Sequence, residues 1–441
     1  MTPPLSPKRR EELLDALRRG TVPREGLAHL AVGLDRFAET TNEDLNRMST
    51  GGSAFKAVRG EYGCGKTFFT RWLQEQARLK HFATAEVQIS ETETPLHKLE
   101  TVYRRMIERL STPSVSGGAF RSIIDTWFYA LEEDVLSSGR VSPEDSDALL
   151  RATNELMEKR LDAISRNAPA FASALRGYRL ALAKGDQAGA EGLLAWLGAQ
   201  PNVAATVKRE ANLKGDVDHF TALSFLQGLL VVLRDSGHPG LVLILDEVET
   251  LQRVRGDVRE KALNALRQLI DEIDSGRFPG LYLIITGTPA FYDGPQGVQK
   301  LPPLAQRLQT DFGTDQRFDN PRAPQIRLRA FDRASMLEAG RKVREIYQQG
   351  SKAAARIEAL AGDSLLERLS DGLTGELGGK VGIAPRLFLK KLVADILDRI
   401  ELHQDFDPTH DYHLTLRREE MNDEEQNLTA AGSVNDIPLD L

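Results

Sequence analysis

The residues Gly60, Glu61, Tyr62, Gly63, Cys64, Gly65, Lys66 and Thr67 read G-x-x-x-x-G-K-T. Glycines at these places let backbone N–H groups curl round a phosphate, and a helix starting behind them adds positive potential. Lys66 is spaced to reach the β- and γ-phosphates of a nucleotide, and Thr67 to hold Mg²⁺. A second stretch, LVLILDE over 241–247, delivers Asp246 and Glu247 at the end of an apolar run. Asp246 can join a Mg²⁺ shell, and Glu247 can polarise a water for in-line attack on a γ-phosphate. Such acid pairs are common after apolar strands, and it is the phosphate loop upstream that gives this one weight. Thr286, in the run TGTP, is a further candidate, its hydroxyl bonding the attacking water or the γ-phosphate. Two arginines complete the set. Arg307, in PPLAQRLQ, is a candidate finger directed at a neighbouring copy's nucleotide, where it would stabilise transition-state charge. Arg317, Arg322, Arg327 and Arg329 compete with it for that role. Arg386, in GIAPRLFLKKL, begins a late helix and could reach back to the γ-phosphate. ATP and Mg²⁺ are the cofactors such a set requires.

Groups of this kind need a buried sheet whose strand ends meet at one edge. Ala54 to Val58 is short and apolar enough for the strand feeding the loop, and Phe68 to Leu79 has helical spacing behind it. TAEVQIS, 84–90, reads as a second strand, and LVLIL, 241–245, as a third covered on both faces. Leu281 to Ile285 makes a fourth, and 322–329 holds a fifth centred on Ile326 and Leu328. The strand at 84–90 implies an extra strand between the loop strand and the Asp-Glu strand, as in ATPases with a catalytic glutamate. The expected fold is α/β, a P-loop parallel sheet flanked by helices, with a long all-helical insertion and a small C-terminal helical lid.

The organisation expected along the chain has six parts. They are an N-terminal helical segment (1–53), the first part of the core (54–94), a helical insertion (95–236), the second part of the core (237–331), a helical lid (332–418) and an acidic disordered tail (419–441). A helix at 6–20 is punctuated by Ser6, Pro7 and Gly20 and reads as a solvated helix leaning on the core. Residues 26–37 are a candidate cover for the adenine, with Val32 at their centre. In the insertion, helical periods run over 95–111, 117–138, 143–183, 186–199 and 217–236. Trp127, Phe128, Tyr129, Phe171, Tyr178 and Trp196 are read as its core. Further helices are expected at 42–48, 257–274, 332–349, 352–372 and 385–402.

Composition narrows the class. The chain has 441 residues, a net charge of −7 and one cysteine, Cys64. That excludes an internal disulfide and a cysteine metal cluster. No apolar run approaches the roughly 20 residues that span a bilayer, and the N-terminus has no signal-peptide core, so a cytoplasmic protein without membrane contact is expected. The charge gives no global case for nucleic-acid binding but leaves room for a local basic patch.

Taken together, GEYGCGKT, LVLILDE, Thr286, Arg307 and GIAPR resemble the AAA+ ATPases in kind and order, over 54–90 and 240–402. Within them the lid helix is most similar to the origin-recognition and replication-initiator branch. Too little chain follows residue 402 for the winged-helix domain of that branch. A narrower resemblance rests on RRGTVPREGLAHLAVGLDRF, AVRGEYGCGKTFFTRWL and VQISETETPLHKLETVYRRMIERL. These segments look like the ATP-binding proteins of bacterial BREX phage-resistance systems, in their smaller, BrxD-like form. The resemblance implies an ATPase in an anti-phage assembly that marks host DNA by methylation and blocks phage replication. Its implied partners are other defence-system proteins, double-stranded DNA and further copies of itself. The alternative is a nucleotide-gated platform that recruits partners through the insertion and turns over slowly. A signalling ATPase is disfavoured, because no repeat array follows the lid.

Overall fold

The computed structural model describes residues 4–139, 141–376, 385–415 and 419. Before the sheet come α1 (Pro7–Arg18), α2 (Leu27–Leu30) and α3 (Asp35–Ser49). β1 (Ala54–Arg59), α4 (Lys66–Leu79) and β2 (Ala83–Gln88) follow. The insertion comprises α5 (Leu99–Arg109), α6 (Phe120–Ser137), α7 (Ser146–Ser165), α8 (Pro169–Ala183), α9 (Gln187–Leu197), α10 (Ala205–Glu210) and α11 (His219–Asp235). The core resumes with β3 (Leu241–Asp246), α12 (Gly256–Asp274), β4 (Leu281–Gly287), α13 (Pro289–Asp293), α14 (Pro302–Leu308) and β5 (Gln325–Arg327). The C-terminal helices are α15 (Arg333–Gln348), α16 (Ala354–Leu360), α17 (Asp363–Glu376), α18 (Pro385–Lys390) and α19 (Asp398–Leu402).

The five strands form one sheet in the order β2-β3-β4-β1-β5, every pair parallel. A strand does separate β1 from β3, and it is β4; β2 lies on the outer side of β3. Parallel strands end at a common edge, so the loop after β1, Asp246 and Thr286 converge there. Side chains alternate between two cores, as the two-residue period of a strand dictates. Leu241, Leu243 and Leu245 pack with the insertion helices and α12. Val242 and Ile244 pack with Phe37 and Met48 of α3 and Phe69 and Leu73 of α4. The insertion thus shares a continuous core with one face of the sheet. A third core joins Leu13, Leu14 and Leu17 of α1 to α15–α19.

Several expected elements differ in extent. The period over 143–183 is two helices, because Pro169 has no N–H to continue α7 and instead starts α8. The stretch 352–372 divides into α16 and α17 at Ala361 and Gly362. α10 is additional, and α3 begins at Asp35 rather than Asn42. β5 covers only Gln325–Arg327. The last helix carries a π-helical stretch, Lys391–Leu397, between α18 and α19. Of the six insertion aromatics, five are core, but Tyr129 is 62% exposed. It lies on the solvent side of α6, its hydroxyl 2.9 Å from Glu133. The expected disordered tail, beyond Glu419, and the GIA part of GIAPR lie outside the described residues. Among the described residues no helix is long and apolar enough to cross a membrane.

Candidate active site

The turn from β1 into α4 is built by its glycines. Gly63 and Gly65 have φ of +74° and +92°, conformations that a Cβ disfavours. A Cβ on Gly60 would collide with the Cys64 sulfur, which is buried in the loop. Burial pushes the Cys64 thiol up, against the opposing pull of Lys66. Lys66 heads a 14-residue helix, and its Nζ donates to the Gly60 and Glu61 carbonyls at 2.9 and 3.3 Å. Tyr62 stands half exposed, its ring 5.8 Å from that ammonium. A helix N-terminus behind a glycine turn, with a lysine returning over it, suits a nucleotide's phosphates. Thr67 follows in the first turn of α4.

Asp246 and Thr286 are both buried, and the Thr286 hydroxyl donates to the Asp246 carboxylate. The same hydroxyl oxygen accepts from the Glu247 N–H at 3.0 Å. That bond helps fix Glu247 in a left-handed backbone, φ 59° and ψ 43°. A non-glycine residue there costs of order 1 kcal/mol and marks a place where side-chain direction matters. The Glu247 carboxylate is aimed towards β2, where Gln88 Nε2 donates to Oε2 at 2.8 Å. Thr286 is thus a brace between the two acids. Thr67 and Asp246 carry oxygens of the kind that a hard cation such as Mg²⁺ prefers.

Two residues of this edge do not stand out in the sequence. Gln88 is the exposed polar end of a mostly buried strand, and only its register opposite Asp246 marks it. Glu249 is the third acid of DEVE; one of its carboxylate oxygens is buried without a hydrogen-bond partner. Burial, aided by the nearby charges of Asp246 and Glu247, pushes this carboxyl up to about 7, with Lys66 opposing.

The two arginines are held elsewhere. Arg307 is paired with Asp271 of α12 and donates to the Pro303 carbonyl at 2.8 Å. Neither partner belongs to the phosphate-binding loop. Arg386 is half buried beside the end of α1, where a Cβ on Gly20 would meet its Nη1 at 3.4 Å. Of the competing arginines, Arg317 pairs with Asp315, Arg322 with Glu43 and Arg327 with Asp319, while Arg329 is exposed. Val32 is half buried, and the neighbouring Ala31 carbonyl accepts from Lys342 of α15.

A five-stranded parallel sheet flanked by helices, with the glycine loop between its β1 and α4, is the arrangement of P-loop nucleotide-binding proteins. A family model described as BREX system ATP-binding protein BrxC/D matches residues 5–416. The chain belongs to this family and is an ATP-binding component of a BREX defence system, with other BREX proteins as its partners. Among curated proteins none matches the sequence.

Proposed function

We propose that the protein is an AAA+ ATPase that hydrolyses ATP with Mg²⁺ and acts, as a homo-oligomer, on double-stranded DNA or a DNA-bound complex in its BREX assembly. The observation that carries hydrolysis is the brace of Thr286 on Asp246 and Glu247 at the edge that holds the glycine loop. Gly60 to Thr67 would cradle the phosphates, with Lys66 exchanging the Gly60 and Glu61 carbonyls for phosphate oxygens. Thr67 and Asp246 would hold Mg²⁺, which supplies neutralisation of the charge developing on the phosphates. Glu247, once turned from Gln88, accepts a proton from the attacking water as its oxygen bonds to the γ-phosphorus. The bond to the β-phosphate oxygen breaks, and ADP and phosphate result. Arg307 from a neighbouring copy and Arg386 from the lid would add positive charge. The lid and the likeness to the origin-recognition branch belong to this reading too.

A second reading, the nucleotide-gated platform with slow turnover, is favoured by one feature. Both groups expected to speed turnover are engaged, Glu247 by Gln88 and Arg307 by Asp271. The deciding experiment is the ATPase rate with and without double-stranded DNA, with oligomeric state recorded at once. Stimulation by DNA in an oligomer supports the motor, and slow, DNA-independent turnover the platform. Lys66→Ala should abolish nucleotide binding, and Glu247→Gln should retain binding but lose hydrolysis. Full activity in Glu247→Gln would reassign the base.

A further inference from the structure

Arg59 is the last residue of β1 and the residue before the loop glycine Gly60. It is buried, 8% exposed, at a sheet edge where a charge is costly unless paired. Its guanidinium pairs with Asp293 of α13 and lies 3.5 Å from Gln325 Oε1. It also stacks 4.9 Å from the ring centroid of Phe312. The other side of the clasp comes from β5, where the Arg327 guanidinium also lies 4.9 Å from the Phe312 ring. Two cations from adjacent strands therefore hold one aromatic ring. Those strands are joined at this point, for Leu328 N–H donates to the Arg59 carbonyl at 2.9 Å.

Phe312 belongs to the segment that follows α14, the helix of Arg307. That segment is tied to β5 at further points. Gln325 donates through its side chain to the Leu308 carbonyl, the last residue of α14, and its N–H donates to Thr310 Oγ1 at 3.2 Å. Arg327 donates to the Gly313 carbonyl at 3.0 Å and pairs with Asp319. The far end of the segment is open, with Phe318 81% exposed. A residue bonded directly to the phosphate-binding loop is thus in physical contact with a surface segment through a cation–π pair.

We infer that Arg59 is a positioning residue that transmits nucleotide occupancy of the loop to residues 308–319 through Phe312. This rests on the loop's taking ATP. A shift of Gly60 on phosphate binding moves the Arg59 backbone, and the clasp passes that shift to the segment carrying the exposed Phe318. The segment's surface is then one that partners meet in two states.

Amide hydrogen exchange on the full chain, with and without ATP and Mg²⁺, tests this. The wild type should show several-fold slower exchange with ATP at 54–67 and an altered rate at 308–319. Phe312→Leu changes no residue of β1 and should keep the response at 54–67 while losing it at 308–319. Arg59→Lys should do the same, since lysine keeps the charge but not the planar stack. A wild-type segment 308–319 indifferent to ATP while the loop responds would overturn the coupling. An undiminished response there in Phe312→Leu would overturn the clasp as its route. No response at 54–67 in the wild type would instead overturn nucleotide binding at the loop, and the coupling with it.

Discussion

Gln88 at the end of β2 donates a 2.8 Å hydrogen bond to the Glu247 carboxylate at the end of β3. A carboxylate so held must give up this bond before it can meet an attacking water. Hydrogen bonds to charged groups contribute roughly 1.5–3 kcal/mol, and the exposure of Gln88 puts this one at the low end. Gln88→Ala should therefore raise basal phosphate release by up to about tenfold, with ATP affinity unchanged. A fall in rate would mean that Gln88 orients Glu247 for catalysis rather than restraining it.

The divide between what the sequence reveals and what it hides follows from range. The loop, β3 and its acids are local patterns, since G-x-x-x-x-G-K-T and five apolar residues before Asp246 each specify their own conformation. Thr286 was legible as a strand end, but its bonds to Asp246 and Glu247 depend on β4 lying between β1 and β3. Gln88 and Glu249 acquire their meaning only from strand register and burial. Arg307 was legible as the arginine ahead of the last strand, but its pairing with Asp271 is fixed by α12 and α14 packing together. Tyr129 sits beside Trp127 and Phe128 in the sequence, yet of these three only the other two point inward on α6.

Glu249 gives the site a pH signature. Its carboxyl is raised from 4.5 to about 7, chiefly by burial. Below its unfolded value both states carry the proton, and the folded state's preference for it contributes its full stability. As pH rises through about 7 that contribution is lost, in total roughly 3 kcal/mol. Glu249→Gln cannot ionise. In nucleotide-free protein its stability relative to wild type should climb between pH 4.5 and about 7 and level off above. Urea unfolding of both proteins at several pH values checks this, and a constant difference would show that Glu249 titrates normally.

Cys64 offers a chemical probe of the loop. Its thiol is 5% exposed and shifted upward by burial, so both access and thiolate fraction are low. Alkylation at neutral pH should run at least about tenfold slower than for a free thiol and should accelerate with pH. ATP with Mg²⁺ should slow it further by closing the local openings through which the reagent enters. Reaction at the free-thiol rate would show that the loop does not bury Cys64 in solution. Gly60→Ala should weaken ATP binding, since its Cβ would need the space of that sulfur.

Arg307 is held by Asp271 of its own chain, with both side chains about one-third exposed. An ion pair this open is worth about 1 kcal/mol or less, so a neighbouring copy's bound nucleotide could draw the guanidinium away. If Arg307 serves as a finger in trans, its loss costs roughly 10³–10⁵ in rate. Arg307→Ala and Lys66→Ala should each be inactive alone. Mixed, they should recover activity, because an intact loop on one copy then faces an intact Arg307 on the next. Asp271→Asn should shift half-maximal activity to lower protein concentration by releasing the arginine for that contact. Phosphate release from mixed and unmixed samples, recorded across protein concentration, reads both effects. Absence of recovery in mixtures shown to co-assemble would remove Arg307 from the shared site and leave exposed Arg329 as the next residue to test.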